Sequence, residues 1–184
     1  MCFLYPQLKN MILHFNLVNR HRFKVFKLCV KAGIPLRGLV HDLSKYSPTE
    51  FIESAKFYVG THSPITEAKK ANGYSKAWLH HKGRNKHHEE YWYDFNAPIK
   101  APVIPYKYTI EMLCDNLAAG IVYKGKDFKN DYPLWYWENI KNKDLFHLKM
   151  INFFDNVFKE ISEKGIDGVL KKEILKEKYN KYCN

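Results

Sequence analysis

Residues 41–50 read HDLSKYSPTE. His41 and Asp42 are adjacent candidate metal ligands, and Lys45 follows one helical turn later. Ser47-Pro48-Thr49-Glu50 has the form of a capping box: Ser47 can accept from the N3 amide, Pro48 suits N1, and Glu50 can reach back. The stretch therefore joins two helices. One is expected over 35–45, with Leu36, Leu39, Val40 and Leu43 apolar; the next over about 48–59, with Phe51, Ile52, Ala55 and Tyr58 apolar. Glu50 is assigned mainly to the cap.

Upstream, Leu8, Met11, Ile12, Phe15, Val18, Val25, Phe26 and Cys29 recur at helical spacing and predict one long helix over 7–32. Gly33 stops it and Pro35 starts the next. His14 and His21, seven apart, share a face near Val18 and Val25; His14 reads as a core histidine. Downstream, polar residues 60–73 suggest a loop. A helix over 74–82 should end at Gly83, and Asn85 is a plausible N-cap for another over 86–93. That would put His80 and His81 at one helix end and His87 and His88 in the first turn of the next, where the dipole favours neutral imidazole. Pro98, Pro102 and Pro105 argue for an extended connection. A third long helix covers 106–124, with Glu111 and Asp115 one turn apart on a common face. Shorter helices over 133–141, about 145–163 and Asp167 to about 182 close the chain. With no strand pairs, the expectation is all-α: a single-domain helical bundle over 1–184, its metal-site core at about 14–124 and helices 133–182 packed on it.

Composition bounds the rest. At 184 residues and 46% hydrophobic the chain is globular, and 16% aromatic residues predict an aromatic core. A net charge of +11 favours phosphate-bearing ligands, nucleic acid or anionic surfaces as partners. The four cysteines (Cys2, Cys29, Cys114, Cys183) form no CxxC pair and suggest free thiols in a reducing compartment. With no apolar run of about 18 residues and no leader pattern, no membrane association is expected, and the cytoplasm is the default.

Imidazole beside carboxylate suits divalent Mn, Fe, Co, Ni or Zn. Neighbours on a helix point about 100° apart, so His41 and Asp42 can flank one ion, or two if Asp42 bridges. His21 and Asp115 can supply further ligands from two other helices. The order His21, His41-Asp42, a histidine cluster, then Asp115 resembles the H…HD…H…H…D pattern of the HD-domain metal-dependent phosphohydrolases, and Leu43-Ser44-Lys45 resembles the tail of the HDxGK form, with Ser44 in place of Gly. More closely, HDLSKYSPTEF, AWLHHKGRNKHHEEYW and EMLCDNLAAG resemble a family of uncharacterised bacterial and phage proteins with HD-S-K, HH…N-x-HH and E-M-x-x-D blocks in this order.

The resemblance implies an HD-like helical fold holding one or two divalent ions, with Mg added to the candidates. Its implied ligands are His21, His41, Asp42, His81, His88 and Asp115, with His80 and His87 behind them or touching phosphate. Lys45 and Glu111 are the expected catalytic groups: Lys45 stabilises phosphoryl charge, and Glu111 ligates or orients the attacking water. The implied reaction is hydrolysis of a nucleotide or other small phosphate ester by a metal-activated water. Two other function classes stay in view. The net charge and the H…N…H set within 80–88 suggest a nucleic-acid-binding protein or nuclease, against which no flanking strand pair stands. A non-catalytic metal-binding bundle is the third, weakened in its carboxylate form by the absence of an ExxH motif. Oligomeric state is left open.

Overall fold

Helix α1 (Leu4–Lys31) is the long spine that the periodicity predicts, but only part of its apolar surface is covered. Leu17, Val18, Val25, Leu28 and Cys29 face inward and are buried, whereas Leu8, Met11, Ile12 and Phe15 face solvent. The protein is described from a computed structural model covering residues 4–140 and 142–184; Cys2 lies outside the described residues. All-α architecture holds: the described residues are 72% helical and contain no strand.

Short helix α2 (Pro35–Val40) folds back onto α1. The approach is close because Gly38 has no side chain: a Cβ there would lie 2.6 Å from Cys29 Cβ and 3.0 Å from Phe26 Cα. The expected 35–45 helix is broken at the HD dipeptide. His41 is extended (φ −54°, ψ 129°), Asp42 is left-handed (φ 53°, ψ 29°), and a 3-10 turn runs over Leu43–Tyr46. Asp42 is the one non-glycine with positive φ among the described residues. Asp tolerates that region better than most side chains.

Ser47 then caps α3 (Pro48–Lys56) by accepting from the Glu50 amide. Residues 64–72 form helix α4 (Pro64–Asn72) where a loop was expected. Its signals were present: Pro64 at N1, and Gly73 with φ 78° just past its end. Helix α5 (Lys76–Lys82) is capped by Ser75 and leads into an irregular segment with only a 3-10 turn at Glu89–Tyr91, not the expected 86–93 helix.

Helix α6 (Tyr106–Lys124) runs through the centre and is buried on nearly every side, as an internal helix must be when it is apolar all round. Helix α1 covers one face. On the other, α7 (Tyr132–Glu138), α8 (Leu148–Lys164), the short α9 (Ile166–Val169) and α10 (Lys172–Cys183) complete the core. That core is aromatic: Phe153, Phe154 and Phe158 are fully buried, with the Trp137 ring packed at a tilt against Phe154 and Phe158. Cys29, Cys114 and Cys183 are free and buried. Among the described residues no helix is long and apolar enough to cross a membrane.

His14 on α1 lies in the wall between spine and site. Its ring packs on Phe51 and Tyr58, and its Nδ1 is buried without a hydrogen bond. Burial, assisted by the Lys45 charge, lowers its pKa to about 4. The unfolded chain therefore binds this proton near pH 6.5 while the folded protein does not. This contribution to stability is complete above pH 6.5 and is lost as pH falls toward 4; its size is on the order of 2 kcal/mol. Urea titrations of metal-free protein at pH 7 and pH 4.5 should show a smaller loss in His14→Phe than in wild type. Equal losses would show that His14 is not buried as a neutral ring.

Candidate metal centre

Four segments deliver the polar side chains. Helix α6 presents Glu111 and Asp115, and α1 presents His21, whose Nε2 is 2.8 Å from Asp115 Oδ1. The break after α2 supplies His41 and Asp42. Arg22 of α1 holds that break in place, its guanidinium donating to the carbonyls of His41 (2.7 Å) and Leu39 (2.9 Å). Helix α5 and the segment after it bring His81, His87 and His88.

Among the described residues four groups offer one nitrogen or oxygen per residue, all within 4.8 Å of one another: His21, His41, Asp42 and Asp115; Asp42, His81, His87 and His88; His41, His87 and Glu111; and His88, Glu89 and Glu90. Asp42 belongs to the first two. Its Oδ2 faces His41 Nε2 at 3.2 Å, and its Oδ1 faces His81 Nε2 and His87 Nε2 at 3.3 Å each. One carboxylate thus offers one oxygen to each of these two groups.

A surrounding layer sets the direction of the lone pairs. Glu111 Oε1 accepts from His41 Nδ1 (3.1 Å) and lies 3.3 Å from His87 Nδ1. Arg37 clamps the other oxygen through Nε (2.7 Å) and Nη2 (2.6 Å). Glu50 Oε2 accepts from His81 Nδ1 (2.7 Å), and its Oε1 from His80 Nδ1 (2.6 Å). Where Nδ1 of His41 and His81 donates to these carboxylates, Nε2 is left facing inward, the nitrogen a neutral imidazole offers to a metal. Burial opposes protonation of His41 and His87, but the carboxylates around them outweigh it and raise both pKa values above the usual imidazole value. His81 Nε2 and His88 Nε2 lie 2.9 Å apart. His41 Nε2, Asp42 Oδ1 and both ring nitrogens of His87 are buried without a hydrogen bond of acceptable geometry, while Asp42 Oδ2 meets the Lys45 ammonium at 2.6 Å. Buried acceptors aimed at one another are costly unless a cation lies between them. Buried His, Asp and Glu groups here could hold a metal ion, and their mixed nitrogen and oxygen character fits a borderline divalent ion.

The electrostatics agree with a concentrated anionic centre. Burial opposes ionisation of Asp42, yet His41 and Lys45 hold its carboxyl well below the usual range. Asp115 is depressed in the same way by hydrogen bonds to His21 and His41. Burial raises Glu111, but His41 and His87 outweigh it and bring its pKa down to about 2. Burial, then His87 and His81, keep His88 well below the usual imidazole value and hence neutral.

Two cavities open on the centre. One of about 180 Å³ is lined by Lys45, His21, His81 and Asp115 together with apolar Leu17, Val18 and Val122. A larger one, about 780 Å³, runs from His87, His88 and Asp115 between aromatic walls that include Trp78, Tyr123, Tyr132 and Tyr136. Glu89 and Glu90 line it as well, and burial with the neighbouring Glu90 charge raises the Glu89 carboxyl to about 7.

All six residues expected as ligands come together. His87, expected outside the ligand set, stands inside it at 1% exposure, because the segment is irregular and not a helix end. His80 is turned away onto Glu50. Glu111, expected to ligate or orient a water, is occupied by two imidazoles and Arg37. Lys45 lies on Asp42 Oδ2 at 2.6 Å. Glu50, expected as the reaching half of a cap, spends its carboxylate on two histidines. Its burial could not be foreseen from its place in the capping box, and nothing local marked Arg37.

Comparison with family models matches residues 11–160 to a family of unknown function, DUF5662. The chain belongs to this family. No curated protein and no solved structure matches it.

Proposed function

We propose that this DUF5662 member is a divalent-metal-dependent phosphohydrolase, HD-like in its site, acting on a nucleotide or another small phosphate ester. The observation that carries the reading is the sharing of Asp42 between two donor groups that open onto one cavity. Ions bound there would supply Lewis acidity and an activated water for attack at phosphorus. The chain's own residues do the rest. His21, His41, Asp42 and Asp115 would hold one ion; Asp42, His81, His87 and His88 a second. Glu111 and Glu50, accepting from Nδ1 of His41 and His81, leave Nε2 to the metal. Lys45 lines the smaller cavity, where its ammonium can meet phosphoryl oxygens. The aromatic walls of the larger cavity offer flat surfaces for an organic group, with Trp78 shared between the two spaces. The free cysteines fit the cytoplasm as the compartment.

The test is metal analysis of purified protein, followed by phosphate-release assays on Mn-loaded protein with nucleotides, simple monoesters and diesters. Hydrolysis of one class is expected. Lys45→Met should retain its metal and lose about 100-fold in kcat, the scale of one removed charge-stabilising donor. Bound metal without release from any ester would leave a non-catalytic metal site. Absence of bound metal under all loading conditions would overturn the reading itself.

A further inference from the structure

The smaller cavity beside the metal centre is lined by one polar side chain that neither the core nor the donor groups satisfy. His14 lies on α1 about two turns before His21 and is only 5% exposed. Its Nδ1 is buried with no hydrogen-bond partner. The ring is fixed instead by packing, with its centroid 5.3 Å from that of Phe51 and 6.0 Å from that of Tyr58. Buried polar groups nearly always find a partner. The two carboxylates on the same cavity are committed elsewhere: Glu50 to His80 and His81, Asp115 to His21. Packing accounts for the burial of this ring but not for the hollow beside it.

Lys45 supplies positive charge to that hollow. Its ammonium gives one N–H to Asp42 Oδ2 at 2.6 Å and keeps two for a ligand. The cavity, about 180 Å³, is many times the roughly 10–15 Å³ that one water needs. Trp78, His88, Asp115 and Tyr123 line it and the larger cavity alike, so the two spaces border the same donor groups. At pH 7 the His14 ring is neutral, because burial and the Lys45 charge lower its pKa to about 4. It then carries one N–H. With Nδ1 sealed, a ligand can reach a ring nitrogen only at Nε2, and a proton on Nε2 avoids a buried N–H without an acceptor.

We propose that the smaller cavity is an anion seat for a phosphoryl group and that His14 is a positioning residue in it, its Nε2–H donating to a phosphoryl oxygen that Lys45 also meets. The identity of the anion rests on the phosphohydrolase reading. The seat itself rests on the unpartnered imidazole, the ammonium and the cavity they share. A neutral donor suits this place: it adds a hydrogen bond to an anion without adding positive charge beside a site built to hold cations. The organic part of the ester then falls to the larger cavity with its aromatic walls.

Inorganic phosphate is the probe, titrated calorimetrically into the full chain, Mn-loaded and metal-free, at pH 7. His14→Phe keeps the size of the ring and its aromatic neighbours but has no N–H; His14→Gln restores a donor. Wild type is expected to bind phosphate, more tightly with Mn. His14→Phe should keep its metal content and weaken phosphate binding about 10-fold, the scale of one lost hydrogen bond to a charged group. His14→Gln should recover most of that loss, which a purely packing role would not show. Equal affinity in wild type and His14→Phe overturns the proposal. So does metal lost along with affinity, which would make His14 a prop of the donor groups. Phosphate binding that depends on His14, without hydrolysis of any ester, would keep the seat and remove the phosphohydrolase reading; hydrolysis with binding indifferent to His14 would do the reverse.

Discussion

Asp42→Asn is expected to empty both donor groups in one step. Asparagine accepts the left-handed backbone at this position nearly as well as aspartate, so the turn between α2 and the following 3-10 segment should survive. What disappears is the charge that faces His41 on one side and His81 and His87 on the other. Metal affinity should fall on the order of a thousandfold, about 4 kcal/mol, for every ion the protein holds. Any phosphoesterase activity should fall with it. His21→Ala, by contrast, touches only the first group, and His87→Ala leaves the first intact while removing a donor from the second and from the group with Glu111. Metal content by mass spectrometry, with circular dichroism as the fold check, separates these outcomes. Full metal occupancy in Asp42→Asn would show that the two groups do not act as a shared centre.

The second large effect is expected at a residue that supports the imidazoles of the shared centre and could itself offer an oxygen beside His41 and His87. Glu111 is wholly buried on α6, where it accepts from Arg37 and the His41 imidazole, with the His87 ring at 3.3 Å. In Glu111→Gln an amide must turn its NH₂ toward either Arg37 or the imidazoles, so one donor faces another. Loss of this support should weaken metal binding by about 10- to 100-fold. The Arg37 charge, left half-buried without a counter-ion, should cost a further 2 kcal/mol or so of stability in the metal-free protein. Titration with Mn and urea denaturation in the presence of a chelator measure the two effects separately. If affinity is unchanged while stability falls, Glu111 is only a structural anchor for Arg37. Lower affinity with unchanged stability would mean that Arg37 finds another partner.

The fold was legible largely because its long helices obey simple periodicity. Helix α6 was bounded at 106–124 from sequence, and Ser47 was identified as the cap of α3. Both depend on neighbours within one or two turns. The same locality explains the misses. Helix α4 was overlooked because its polar residues hid a Pro-to-Gly frame that brackets it. The 86–93 helix was expected from Asn85 in an N-cap position, but that side chain instead binds Ser44 and the His81 carbonyl. The spacing of the α1 apolar residues predicts the helix but not which of them are covered: Met11 and Cys29 share a helical angle, yet Met11 is exposed and Cys29 buried, because the rest of the fold packs on the C-terminal part of α1.

By itself, then, the chain specified helices, their caps, and a set of imidazoles and carboxylates able to bind a divalent ion, since each follows from residue type and short-range spacing. Only the tertiary structure decided how those donors are divided and aimed. The break after Val40 turns one oxygen of Asp42 to each side; Glu111 and Glu50 reach across from α6 and α3 to meet the Nδ1 atoms of His41, His80 and His81; the irregular segment after α5 carries His87 inward. These relations link residues 30 to 74 positions apart. They depend on which helix faces pack together, and that is settled by burial of the whole core and not by any local pattern.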